Sequence, residues 1–219
     1  MLRSCRPFVG IVWKVQYNHR IMISSEDEKK IHARLTGLVD IPRDEWEKLK
    51  GAFKYRDVGQ GEYLVRAGDV PQEIGFVLSG LFRKFYETED GRIFIKDFSF
   101  ENRLATAYSS MILGQPARLN IQAIEPSRLL TISLSHLTGL FRGHSCWQEL
   151  GRRIAETLFI EREQREWELL VFKAAERYEV FKRQFPGLAG RVAQYDIASY
   201  LGISAVSLSR LIGSGARSD

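Results

Sequence analysis

Gln194–Leu211 reads QYDIASYLGISAVSLSRL. Apolar residues fall at Ile197, Leu201, Ile203, Leu208 and Leu211. Ile197, Ala198 and Leu201 share one face of a short first helix. Ala198 is small where two helices would approach closely, and Gly202 supplies the left-handed residue that ends the first helix. Ser204 is placed to cap a second helix, because its hydroxyl can accept from an exposed backbone N–H. Leu208 and Leu211 then face back toward the first. A plain helical hairpin in a core is the alternative, but the small residue, the glycine and the apolar positions together fit a helix-turn-helix. The second helix of that motif can enter a DNA major groove.

Upstream of this motif the pattern changes twice. Ser24 to Ala52 reads as helical: acidic SSEDE opens it, Ile31, Leu35 and Leu38 follow at helical spacing, and Pro42 starts a second helix carrying Trp46 and Leu49. From Phe53 to about Ser135 short strands are expected at Tyr63–Val65, Ile74–Leu78, Leu81–Tyr86, Ile93–Phe98, Leu119–Ile124 and Leu129–Ile132. Turn signals separate them, among them Ala67-Gly68-Asp69, Ser79-Gly80 and Glu89-Asp90-Gly91. Many short strands at near-regular spacing predict a sandwich or jelly roll. From Ser145 to Lys173 the period lengthens, and Leu150, Ile154, Leu158, Glu161, Arg165, Leu169 and Phe172 form a stripe. Pairing with a second copy through Leu150, Ile154, Leu158 and Leu169 would bury it. Packing along the helix's own β domain is the alternative. Polar Glu161, Arg162, Glu163 and Arg165 mean that this is no simple leucine zipper.

The expected fold class is therefore α+β, in four parts. A basic extension (1–23) precedes a β jelly roll with flanking helices (24–143), a long dimerisation helix (144–173) and a small helical domain (174–219). With 219 residues and 44% apolar composition, the chain can hold one large domain or two modest ones. A net charge of +5 is compatible with nucleic acid without requiring it. No apolar run reaches membrane-spanning length. Arg3, Arg6, Lys14 and Arg20 sit in an acid-free start that lacks a clear cleavage site, so no signal peptide is read there, and Met22 is an alternative start. Two cysteines, Cys5 and Cys146, are too few for a zinc or iron–sulfur site in one chain, and a reducing, cytoplasmic compartment fits. Cys146, beside Trp147 at a helix start, reads as a buried or half-buried residue.

In this order of parts the chain resembles the Crp/Fnr family of bacterial transcription regulators, over roughly Asp40 to Ile212. Gly61, Gly68, Gly80 and Gly91 fall at cyclic-nucleotide-domain spacing, and GDVPQEIGFVLSGLFRKFY and ERYEVFKRQFPGLAGRVAQYDIASYLGIS add to the likeness. The second stretch is similar to a subgroup with a short C-terminal domain. The resemblance implies an effector-binding roll, a homodimer, double-stranded DNA as partner, a roughly palindromic operator, and RNA polymerase as a further partner.

Two sets of residues would carry that function. At the second helix Ser204, Ala205, Val206, Ser209 and Arg210 would reach base edges, with Arg210 able to bond bidentately to guanine. Ser204, Ser207 and Ser209 can donate to phosphates or bases, and Gln194 and Tyr195 could hold a phosphate. Ala205 and Val206 replace the charged residues of better-known relatives, and the basic extension beyond Leu211 is missing, so fewer phosphate contacts are expected. In the roll, SFENRLATAYSSMILGQPARLNIQAIE matches the phosphate-binding cassette of the family's cyclic-nucleotide binders. There Glu101 is followed by Asn-Arg, and Leu119 and Asn120 replace the small neighbours of the phosphate arginine. These departures disfavour cyclic AMP or GMP. Arg103, Tyr108, Arg118 and Arg162 are the candidates for another small, anionic effector of unknown identity, and a roll filled by its own side chains is the alternative. The alternative function is a ligand-sensing or interaction module with a degenerate DNA-binding domain. An enzyme is not expected: no cofactor is implied, His19, His32, His136 and His144 are scattered, and no His-x-His pair supports a cupin metal centre.

Overall fold

The structure is a computed structural model and describes residues 23–215. The basic extension up to Met22, including Cys5, lies outside the described residues.

Two helices open the fold. Helix α1 (Ser25–Thr36) is capped by the Ser24 hydroxyl, which accepts from the Asp27 N–H at 3.1 Å, and Glu26, Asp27 and Glu28 sit at its positive end. Helix α2 (Arg43–Lys50) follows Pro42, which stands just outside the helix rather than in its first turn. Eight strands then form two antiparallel sheets. The first has the order β1-β8-β3-β6 and the second β2-β7-β4-β5. Their ranges are β1 Lys54–Val58, β2 Tyr63–Val65, β3 Glu73–Ser79, β4 Phe82–Glu87, β5 Ile93–Ser99, β6 Leu104–Ala105, β7 Asn120–Ala123 and β8 Ser127–Ser133. A short α3 (Tyr108–Leu113) separates β6 from β7. The expected strands are present; β1 and β6 are additional.

Between the sheets lies a dry core of Val58, Val65, Val77, Phe82, Ile121 and Leu129. The β3–β4 turn depends on Gly80. Its φ is +102°, and a Cβ there would stand 2.2 Å from Ser127 Oγ. That close approach lets Ser127 Oγ accept the Leu81 N–H at 3.1 Å.

Each sheet also has an apolar outer face, and each is covered. On the first, Phe76, Leu78, Leu130 and Ile132 pack under α1, α2, α4 (Leu134–Gly143) and the start of α5 (Ser145–Val171). Indole hydrogen bonds tie these helices together: Trp46 Nε1 donates to Glu28 at 3.0 Å and Trp147 Nε1 to Glu45 at 2.6 Å. Cys146 is buried and free, and burial pushes its thiol up, away from reactivity.

The second sheet is covered by the C-terminal helical unit: α6 (Ala174–Gln184), a 3-10 turn (Leu188–Gly190), α7 (Gln194–Leu201) and α8 (Ala205–Gly215). Leu81, Phe85, Ile95 and Phe98 form one core with Phe181, Phe185, Leu188, Tyr200, Leu201 and Leu208. The Phe98 ring centroid is 5.7 Å from that of Tyr200 and 6.1 Å from that of Phe185. Polar contacts fix the orientation. Arg83 donates to both Asp196 oxygens at 3.0 and 3.1 Å, and to Gln122. Arg191 is held by Glu101 at 2.9 and 3.0 Å and by Glu125 at 2.6 Å, which raises its already high pKa. Ser199 Oγ donates to Ile93 O and accepts from Ile95 N, both at 3.0 Å.

The Arg83–Asp196 pair is the most enclosed of these contacts. Burial raises the Asp196 pKa, and the Arg83 charge only partly offsets that effect. Such a pair orients the two units, and removing one member leaves the other charged and dry. Arg83→Met is expected to cost about 3–5 kcal/mol of stability at neutral pH, measured by chemical denaturation. Asp196 then titrates still further above its unfolded value. The folded state therefore holds the extra proton, and the loss shrinks as pH falls through that raised pKa. Asp196→Asn added to Arg83→Met recovers part of the stability; additive losses would show that the pair is not coupled.

Candidate nucleic-acid interface and ligand cavity

Helices α7 and α8 form the helix-turn-helix that the sequence predicts. Ile197, Ala198, Leu201 and Leu208 are buried. Gly202 takes φ +69° and returns its N–H to Ser199 O at 3.1 Å, while Ile203 N reaches Ala198 O at 3.0 Å. Ser204 Oγ accepts from Ser207 N at 3.1 Å, the cap that starts α8. The last carbonyls of α7 are satisfied by arginines from outside the motif. Arg165 on α5 donates to Tyr200 O and lies over its ring, and Arg177 on α6 donates to Leu201 O at 2.9 Å. Cations there also complement the negative end of the helix dipole.

This anchoring points one edge of α8 outward. Ser204, Ala205, Val206, Ser209 and Arg210 are exposed; Ser207 is half-buried, its hydroxyl paired with that of Ser204 at 2.9 Å. Gln194 and Tyr195 are exposed at the start of α7, and Asp196, the next residue, turns inward to Arg83. The candidate DNA-contacting residues thus share the surface of one motif. Arg210 is the basic side chain on α8, and the last turn of that helix carries none.

The long helix corrects the predicted dimer stripe. Leu150 is buried in the core of its own subunit with Trp147, and Ile154 packs against that core. Leu158 lines a cavity against the roll, and Leu169 approaches Gly202. The N-terminal half of the face that repeats at 3.6 residues is occupied by the roll; further along, Glu168 is buried while Glu161 and Leu169 stay exposed. Besides Leu169, the exposed apolar residues of α5 lie on the other side: Phe159, Ile160, Trp167, Leu170 and Val171, with Leu170 79% exposed. On a 3.6-residue helix these five fall within an arc of about 120°. Charged Arg152, Glu156 and Glu163 interrupt the same arc, which hid it from a periodicity count.

The four effector candidates differ in their surroundings. Arg118 and Arg162 are exposed, and Tyr108 is half-buried at the start of α3. Arg103 lies over the rings of Phe100 and Phe185, at 5.0 and 5.4 Å. Glu101, the cassette glutamate of the sequence reading, accepts from Gly80 N and Arg191 instead. Burial pushes its carboxyl up, but the Arg191 and backbone hydrogen bonds outweigh that and its pKa is lowered. Asn120 is also engaged in structure, its Oδ1 accepting from Ala67 N at 2.9 Å.

A cavity of about 120 Å³ opens elsewhere, between α1, the roll and α5. Leu35, Leu38, Phe76, Leu104, Ile154 and Leu158 supply apolar walls, and Arg34, Lys84, Asp97, Ser99, Asn102, Arg103, Thr157 and Glu161 supply polar ones. Lys84 is buried, its Nζ 3.2 Å from Leu104 O and 3.5 Å from Asp97. Sequence reasoning missed this lysine because β4 carries it among aromatic neighbours. Among the described residues no cluster of His, Cys, Asp and Glu is able to hold a metal ion, and no helix is long and apolar enough to cross a membrane.

Comparison with known proteins agrees with this architecture. Residues 55–144 match the cyclic nucleotide-binding domain family. No curated protein sequence matches the chain. Among solved structures, FixK2 from Bradyrhizobium japonicum superposes with a TM-score of 0.64 at 20% identity, covering 74% of this chain and 83% of that one. The c-di-GMP-responsive global regulator CLP of Xanthomonas campestris gives 0.63 at 14% identity, over 81% of this chain and 93% of its own. The catabolite activator protein of Thermus thermophilus gives 0.52 at 21% identity, over 84% and 87%. Residues 55–144 thus match the cyclic nucleotide-binding domain family, within a fold that the chain shares with Crp/Fnr-family transcription regulators.

Proposed function

We propose that this chain is a non-enzymatic transcription regulator that binds double-stranded DNA as a homodimer and answers to a small-molecule effector. The observation that carries the DNA-binding reading is the edge of α8. Ser204, Ala205, Val206, Ser209 and Arg210 stand in solvent while Leu208 behind them is buried in the core shared with the roll. A helix held rigidly from behind and bare in front suits insertion into a major groove. Gln194 and Tyr195 at the α7 N-terminus are placed for a phosphate on the flank. Two-fold symmetry of the dimer makes the operator roughly palindromic.

The exposed arc of Phe159, Ile160, Trp167, Leu170 and Val171 supports the homodimer, since a second copy would bury it. The lone basic side chain of α8 favours a second reading, a sensing or interaction module whose DNA-binding unit has degenerated. The two differ in what DNA does.

Fluorescence anisotropy with duplexes from upstream of the protein's own gene tests the first reading. Arg210→Ala is expected to cost about 1–3 kcal/mol of specific binding, or roughly 5- to 150-fold. Equal affinity of wild type and variant for every duplex at moderate salt would leave the second reading standing. For the dimer, Phe159→Glu with Leu170→Glu is expected to yield a monomer by light scattering with subunit stability little changed, because both positions are exposed. Persistence of the dimer would place its interface elsewhere.

A further inference from the structure

We propose that the cavity between α1, the roll and α5 binds a small monoanion with an apolar body, an aliphatic carboxylate of about six carbons, and that Arg103 conveys its occupancy to the helix-turn-helix unit. The inference rests on the effector-responsive reading above and names the class of effector.

Size sets the first limit. A cavity of about 120 Å³ is on the scale of one that takes benzene, roughly 150 Å³. A cyclic nucleotide is larger than that, and the space between the sheets is filled by Val77, Phe82, Ile121 and Leu129. Charge sets the second. Arg34, Lys84 and Arg103 line the cavity with Asp97 and Glu161, an excess of one cation that a monoanion neutralises. The Lys84 ammonium has three protons, and Leu104 O and Asp97 account for two of them. A ligand carboxylate would receive the third, beside a lysine that is itself buried. The six apolar residues opposite suit a hydrocarbon body rather than a second polar group.

Arg103 belongs to both the cavity and the contact with the C-terminal unit. Its side chain lines the cavity, and its guanidinium also lies over the ring of Phe185 at the end of α6. Its backbone is fixed, with its N–H on Phe100 O and its carbonyl receiving the Val77 N–H, both at 3.0 Å. Only the side chain is free to respond. A carboxylate offers a guanidinium a stronger partner than an aromatic face does. Binding would therefore draw Arg103 from Phe185 and loosen one contact that orients α7 and α8.

Hexanoate is the probe, with hexan-1-ol, hexylamine and cyclic AMP as comparisons, read by thermal shift and calorimetry on the full chain. At about ten times its Kd, hexanoate is expected to raise Tm by roughly 3–6 °C, and the three comparisons are expected to leave it unchanged. Lys84→Met abolishes the shift, and Leu158→Trp, which fills the cavity from α5, does so independently should the first variant not fold. Hexanoate also changes wild-type DNA affinity several-fold, and Arg103→Met removes that change. No stabilisation by hexanoate, an equal effect of hexan-1-ol, a shift retained in both cavity variants, or stabilisation by cyclic AMP overturns the proposal. A DNA effect retained in Arg103→Met overturns the role of that residue. The binding measurements need no DNA, so failure of the chain to bind duplex removes the functional reading and leaves the site's own test intact.

Discussion

A two-sheet roll has two outer faces, and apolar side chains on either must be kept from water. That constraint organises the chain from end to end. The first outer face is closed by the N-terminal helices and the start of α5. The second, bearing Phe85 and Ile95, is closed by the C-terminal helices. The helix-turn-helix unit is therefore the missing wall of the roll. Its own core and the sheet's outer core are one continuous cluster, from Leu81 on the turn into β4 to Leu208 on α8. Hydrophobic burial supplies the attraction but no direction. Direction comes from paired charges, Arg83 with Asp196 and Arg191 with Glu101 and Glu125.

Local signals made much of this visible in the sequence. The motif at Gln194–Leu211 is decided by residues within a few positions of one another: Gly202 for the turn, Ser204 for the cap, Leu208 for the packing. The roll was legible because its strands alternate between turn residues. Strand β1 escaped notice because KYRDV is largely polar on an outer strand, and β6 is two residues long. Docking of the C-terminal unit was not legible. Arg83 and Asp196 are 113 residues apart, and Arg191 and Glu101 are 90 apart. Nothing in the neighbourhood of any of them in the chain announces the partner.

The long helix shows how a periodic signal can be sound and still be assigned to the wrong neighbour. Leu150, Ile154 and Leu158 do mark a buried face, and that face lies against the subunit's own roll. A solvent-facing arc broken by Arg152, Glu156 and Glu163 carries no clean period, so only coordinates separate it from an ordinary polar surface. Of the candidate effector residues, Arg103 does line a cavity, though not one built on the cassette. Within the stretch that matches the cassette, Glu101 and Asn120 serve turns and domain contacts.

The grip of Arg165 and Arg177 on the closing carbonyls of α7, together with the inward use of Arg83 and Arg191, bears on how the molecule looks to a polyanion. The overall excess of five positive charges counts these four guanidinium groups, which lie partly buried among carboxylates and peptide oxygens. Asp196, Glu168, Glu101 and Glu125, which face three of them, enter the same sum with the opposite sign, so the cluster as a whole adds nothing to that excess. The net positive charge therefore resides on other side chains, and long-range attraction toward a phosphate backbone must come from those rather than from the arginines that hold α7 in place.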